Sequence, residues 1–225
     1  MAILKIENIS KTYKTEHGPL KVLDDVSFEV ERGSWTMLIG ASGSGKTSLL
    51  QMLGVLDKPD TGNILYKDTN YAKAGSFKAA HMRLRGVGFV FQSFNLLPEL
   101  TALENIMLPG LFGKNKKSAI RQKAKELLQM VGLTERSTHK PNELSGGEQQ
   151  RIAICRALIN DPEVILADEP TGNLDPKTTD AIINIFNKLR KNHGKTIVMV
   201  THDHSLKHNA TKVLQLENGR IVKRA

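Results

Sequence analysis

A chain of 225 residues that is 40% apolar can build one or two domains around a genuine core. Its formal charge of +9 would suit nucleic acid, but the basic residues are scattered and only 7 Phe, 3 Tyr and 1 Trp are present, so no stacking platform is visible and no nucleic-acid partner is expected. The longest apolar runs, VILA at 164–167 and IVMV at 197–200, fall far short of the ~20 residues that span a bilayer, and the lone Cys155 excludes an internal disulfide.

In chain order, MAILKIENIS carries Lys5 and Glu7 where a secretory signal needs an unbroken apolar region, so it reads as a first strand of a cytoplasmic protein. Tyr13 is an aromatic ahead of the main motif and suits stacking on adenine, although exposed tyrosines without a role are common. WTMLI at 35–39 is an apolar strand, and GASGSGKT at 40–47 follows it directly before the helical pattern SLLQML. This matches G-x-x-x-x-G-K-[ST] in the strand–loop–helix context that the motif needs. Gly40, Ala41, Ser42, Gly43, Ser44 and Gly45 form a loop whose amides can point at phosphate oxygens. Lys46 reaches the β- and γ-phosphates, Thr47 can hold Mg²⁺, and Ser48 continues the helix start whose partial positive charge favours an anion.

Gln92, in VGFVFQSF, ends a second apolar strand with an amide that could ligate Mg²⁺ or orient water. Strand signals then vanish over about 93–144, with Pro98, Pro109, Pro141, Gly110 and Gly113 at the joints, which predicts a helical insertion in an α/β core. Within it Ile120, Ala124, Leu127, Leu128 and Val131 form one face of an amphipathic helix. NELSGGEQQR at 142–151 looks like a second anion-binding helix start, with Ser145 and the amides of Gly146 and Gly147 as donors and Glu148 next in line. Cys155 comes after it among apolar helix neighbours as an inert core thiol.

VILADE at 164–169 is an apolar strand ending in two carboxylates. Asp168 suits the metal opposite Thr47, and Glu169, turned the other way, suits polarising a water for attack on the γ-phosphorus. Asp175-Pro176 offers an N-cap and an N1 proline to a helix that presents Ala181, Ile182, Ile185, Phe186 and Leu189 on one side and stops at Gly194. TIVMVT is a buried strand, and His202 comes directly after it at the carboxyl end of the sheet, where α/β ligands bind. Contact with a γ-phosphate explains His202, while His202, His204 and His208 together also approximate a metal-ligand spacing.

Taken in order, the P-loop, Gln92, LSGGEQQR, the VILADE strand, NLD at 173–175 and His202 make this sequence resemble the ATP-binding-cassette ATPases over essentially its whole length. GASGSGKTSLLQMLGVLD, FVFQSFNLLPELTALENIMLP and ILADEPTGNLD resemble the branch with macrolide exporters, lipoprotein-release ATPases, the cell-division cassette and antimicrobial-peptide or haem resistance transporters. The resemblance implies a single cassette over 1–225 with a RecA-like P-loop NTPase core. Residues 1–92 and 159–225 would form the α/β core with an N-terminal antiparallel β subdomain, and 93–158 the helical insertion and signature helix. It implies a head-to-tail homodimer on ATP binding, each ATP with Mg²⁺ meeting the P-loop, Gln92, Asp168, Glu169 and His202 of one subunit. Ser145, Gly146, Gly147 and Glu148 of the other subunit would complete the site, with Asp175 at the same interface. An integral membrane permease would dock at Gln92 and the helical insertion, with an extracytoplasmic adaptor beyond it, and would hold the cassette at the cytoplasmic face. Cys155 stands where a small residue is usual in the family, and Ser48 where threonine is frequent. A regulatory cassette that signals through a membrane partner without transporting anything is the alternative. A phosphotransferase would have no use for LSGGEQQR, and the long coiled-coil insertion of DNA-repair relatives is missing from these residues.

Overall fold

A computed structural model describes residues 1–224. Strands β1 (Ala2–Thr15) and β2 (Gly18–Glu31) form a long antiparallel hairpin, and β4 (Thr61–Tyr66) and β5 (Thr69–Asn70) extend it to an antiparallel sheet of order β2-β1-β4-β5. The second sheet contains β3 (Trp35–Ile39), β6 (Val87–Val90), β7 (Val164–Asp168), β8 (Thr196–Thr201), β9 (Lys212–Glu217) and β10 (Arg220–Arg224), ordered β10-β9-β3-β8-β7-β6. Its pairs are parallel except β9 with β10. The sequence explains this arrangement: WTMLI, VILA and TIVMVT are apolar without alternation, as strands covered on both faces must be.

One face of this sheet, through Leu38, Leu166, Val198 and Val200, packs on α1 (Lys46–Leu53) and on the inner residues of the antiparallel sheet. The other face, through Met37, Ile165, Ile197 and Met199, packs on α5 (Gly146–Leu158) and α6 (Pro176–His193). Helix α6 has the predicted ends: Asp175 accepts from the Thr178 amide at 3.0 Å, Pro176 sits in the first turn, and Gly194 terminates it at φ 62°.

The predicted helical insertion contains α3 (Ala102–Leu111) and α4 (Lys117–Met130), while α2 (Ser76–Arg85) precedes β6. Helices α3 and α4 share a third apolar cluster with α5. Helix α5 therefore carries two buried stripes: Ile152 and Cys155 face the insertion, whereas Ile154 and Leu158 face the sheet. No helix among the described residues is long and apolar enough to cross a membrane.

Candidate functional site

The parallel strands β3, β7 and β8 release the chain at their carboxyl ends side by side, since Ile39 pairs with Thr201 and Asp168 with Val200. The glycine loop after β3, Asp168 and Glu169 after β7, and His202 after β8 consequently meet at one edge of the sheet. A cleft of about 710 Å³ opens there, lined by Tyr13, Ser42, Gly43, Gly45, Lys46, Thr47, Ser48, Gln92, Glu169 and His202.

Gly45 caps α1 in the left-handed conformation at φ 101°, and a Cβ on it would lie 2.6 Å from the Val22 carbonyl, so only glycine fits between the loop and β2. Lys46 is buried, and its ammonium donates to the carbonyls of Gly40 and Ala41 at 2.9 Å each, which aims a fixed cation along the loop. The Ser44 hydroxyl is buried without a partner among the described residues, an oxygen that a phosphate would satisfy.

Thr47 Oγ1 donates to Asp168 Oδ1 at 3.1 Å. Burial pushes the Asp168 carboxyl above its ordinary pKa; the Thr47 hydrogen bond opposes this, and the Glu169 charge adds to it. A desolvated carboxylate beside a hydroxyl is a hard-oxygen donor set that suits Mg²⁺. Glu169 takes a left-handed backbone at φ 45°, with its amide donating to Val200 O at 3.0 Å. Its Oε2 lies 2.6 Å from His202 Nδ1 but without the alignment of a hydrogen bond. Glu169 is largely buried and His202 mostly exposed, so the histidine covers the carboxylate from the solvent side.

Gln92 lies two residues beyond the end of β6, in a loop, where the sequence pattern predicts the strand's last residue. Its amide reaches the segment after Glu169, since a Cβ on Gly172 would lie 3.1 Å from Gln92 Nε2. Tyr13 lines the cleft with its hydroxyl donating to Asp57 Oδ2 at 2.6 Å and Lys11 Nζ 5.1 Å from its ring centre. Burial, followed by the Asp57 hydrogen bond, raises the Tyr13 pKa.

The second glycine motif lies outside this cleft. Ser145 caps α5 in a reciprocal arrangement: its Oγ accepts from the Glu148 amide at 3.3 Å, while Glu148 Oε2 accepts from the Ser145 amide at 2.8 Å and from its hydroxyl at 2.9 Å. Arg136 Nε donates to Glu148 Oε1 at 3.0 Å. The Ser145 amide, then burial working against it, then the Ser145 hydroxyl and Arg136, leave the Glu148 carboxyl below its ordinary pKa. The first turn of α6 abuts this one: Thr178 Cγ2 fills the place where a Gly147 side chain would start. Asp175 stands at that junction as the α6 cap, its carboxyl held low first by the Thr178 hydroxyl.

Among the described residues no three His, Cys, Asp or Glu side chains gather as a metal-ligating group, which corrects the three-histidine reading. His208 is occupied locally, with Nδ1 2.7 Å from the Ser205 carbonyl and Nε2 2.9 Å from Asn209 Nδ2. Two tethers escape a reading of the sequence. Gln150 Nε2 donates to Pro170 O at 2.7 Å, and Arg156 Nη2 donates to Phe94 O at 2.7 Å. The one available signal is a polar residue on an otherwise apolar helix surface, and it does not name the partner.

A family model described as ABC transporter matches residues 23–172. A Thermotoga maritima protein named an uncharacterized ABC transporter ATP-binding protein is 47% identical over 219 residues, 97% of this chain and 93% of its own. The lipoprotein-releasing system ATP-binding protein LolD of Rickettsia bellii is 45% identical over 221 residues, 97% of each chain. Among solved structures, the dimeric post-hydrolysis state of the ATP-binding cassette MJ0796, bound to ADP and Pi, matches with a TM-score of 0.92 at 39% identity, covering 99% of this chain and 97% of that one.

Proposed function

Because the chain belongs to the ABC transporter family as one of its ATP-binding subunits, we propose that its cleft binds and hydrolyses ATP to drive a separate membrane permease. The observation that carries this reading is the convergence of the P-loop, the Thr47–Asp168 pair and the Glu169–His202 pair on one sheet edge. In this reading the loop amides, Ser44, Lys46 and the α1 N-terminus hold the phosphates, and Tyr13 stacks on the base. Thr47, Asp168 and Gln92 would hold Mg²⁺, which would supply positive charge to offset that of the phosphates. Glu169 accepts the proton of the attacking water, and His202 steadies that carboxylate and contacts the γ-phosphate.

The sandwiched homodimer belongs to the same reading. Ser145, Gly146 and Gly147 lie outside their own chain's cleft, so they serve the phosphate of the partner subunit, with Glu148 as the cap that holds Ser145 and Asp175 beside them at the interface. The dimeric state of MJ0796 with ADP and Pi supports this. Residues 93–158 act as one insertion on the core, facing a permease that keeps the chain at the cytoplasmic face of the membrane. Lipoprotein extraction, with an extracytoplasmic adaptor on the permease, is the cargo reading that the LolD relative favours.

Glu169→Gln tests the reading directly. It should bind ATP normally, lose turnover by about 10²- to 10⁴-fold and elute as a dimer with ATP on sizing. Near-wild-type turnover would remove Glu169 as the base.

A further inference from the structure

Two adjacent residues just after Gln92, Phe94 at φ 59° and Asn95 at φ 51°, both adopt the left-handed backbone, which a bulky phenylalanine disfavours and asparagine tolerates better. Such a conformation persists only where the surroundings impose it. Within the turn the Asn95 amide donates to the Ser93 carbonyl, and from outside it Arg156, 61 residues away on α5, holds the two carbonyls: its Nη2 donates to the Phe94 carbonyl at 2.7 Å and its Nη1 to the Asn95 carbonyl. The Phe94 ring meets the same helix at its other end, for a Cβ on Gly146 would lie 3.6 Å from Phe94 Cζ. A three-residue stretch therefore joins the Gln92 amide, which lies in the same cleft as Glu169, to both ends of the helix that opens with Ser145.

We propose that Arg156 is a positioning residue for ATP hydrolysis: its fork holds the Phe94–Asn95 turn and so fixes Gln92 relative to α5. This rests on the role in hydrolysis proposed for Gln92. The planar guanidinium matters because it meets two successive carbonyls at once, which a lysine ammonium on a flexible stem does not do in one fixed geometry. Arg156 itself contacts no reacting group, so its effect should run entirely through Gln92.

A double-mutant cycle on the full chain reads this out. Arg156→Gln should lower kcat about tenfold, with the Kd for a fluorescent ADP analogue within about twofold, and Gln92→Ala should do the same. Combining them should cost no more than Gln92→Ala alone, whereas a merely structural role predicts multiplied losses. Asn95→Gly, which relaxes one of the two left-handed positions, should restore kcat in the Arg156→Gln background by about threefold. If Arg156→Gln does not fold, Arg156→Lys carries the same cycle and the same rescue. Additive losses with an impaired Gln92→Ala, or no rescue by Asn95→Gly, would overturn the role of Arg156 alone. Wild-type kcat in Gln92→Ala would overturn the role of Gln92 and this inference together.

Discussion

Helices α1 and α5 both begin at glycine-rich sequence and both offer an N-terminus suited to an anion, yet they are finished differently. At α1 no side chain caps the helix and no acid stands in its first turn; Lys46 adds a cation that the loop carbonyls hold in place. At α5 the chain supplies its own anion, because Glu148 folds back onto the Ser145 amide and hydroxyl. The first site is prepared for phosphate, and the second is closed on itself, with only the amides of Gly146 and Gly147 left at its start. In the proposed dimer, an incoming phosphate at α5 would compete with Glu148 for Ser145, which nothing at the P-loop requires.

The most damaging way to break this comparison is at the prepared site. Lys46→Ala removes a charge-assisted contact to phosphate and should weaken ATP binding by roughly 10- to 100-fold in isothermal titration. Helix α1 should persist, because Leu49, Leu50 and Leu53 still anchor it. Unchanged affinity would mean that the cradle is not where the phosphates sit.

At the closed site smaller effects are expected, and two substitutions separate its two roles. Glu148→Ala removes half of the reciprocal cap and should cost about 1 kcal/mol in urea unfolding. Because the Glu148 pKa is lowered on folding, its stabilising contribution is present above the ordinary glutamate range and lost as the pH falls through the folded value; the difference between wild type and Glu148→Ala should shrink accordingly. Glu148→Gln keeps a capping-box residue but removes the charge. In a Glu169→Gln background it should lower the ATP concentration for half-maximal dimerisation by about threefold on sizing, through relief of charge repulsion with the arriving phosphate. A midpoint that rises instead would show that Glu148 assists the phosphate.

The same two sites differ in how far the sequence discloses them. The P-loop is local: strand, glycines, lysine and helix lie within about twenty residues, and periodicity and turn chemistry suffice to read them. Asp175, Pro176 and Gly194 likewise mark α6 because capping is a short-range interaction. The Gln92 region is not local. Strand β6 stops at Val90, where its pairing with Ala167 ends, and the turn at Phe94 and Asn95 is shaped by Arg156 from α5. An apolar run cannot show where ladder pairing stops. Nor can one hydrophobic period show that α5 is buried on two sides, since the stripe through Ile152 and Cys155 and the stripe through Ile154 and Leu158 overlap in sequence. The hydrogen bond from Tyr13 to Asp57 spans 44 residues and is equally invisible beforehand.

The smallest effect lies within the prepared site, where readiness for a ligand has a cost in its absence. Asp168 is kept in a partly buried place with Thr47 as its hydrogen-bond donor, and its pKa is raised on folding above the ordinary 3.8. The sign is opposite to that of Glu148. Above the folded pKa the buried charge destabilises the native chain, and this penalty fades as the pH falls through that value towards 3.8, where the protonated form is favoured by folding. Asp168→Asn retains an oxygen for the Thr47 hydroxyl and removes the charge. Without nucleotide or Mg²⁺ it should raise Tm at pH 7 by about 2 °C, with the gain vanishing as the wild-type carboxyl becomes protonated. Adding MgATP should reverse the order, because the wild type then gains a ligand-binding contribution that the amide cannot match. A variant less stable than the wild type at pH 7 without ligand would mean that Asp168 is held for the fold, and the contrast between a site prepared for its ligand and one closed on itself would lose its chemical basis.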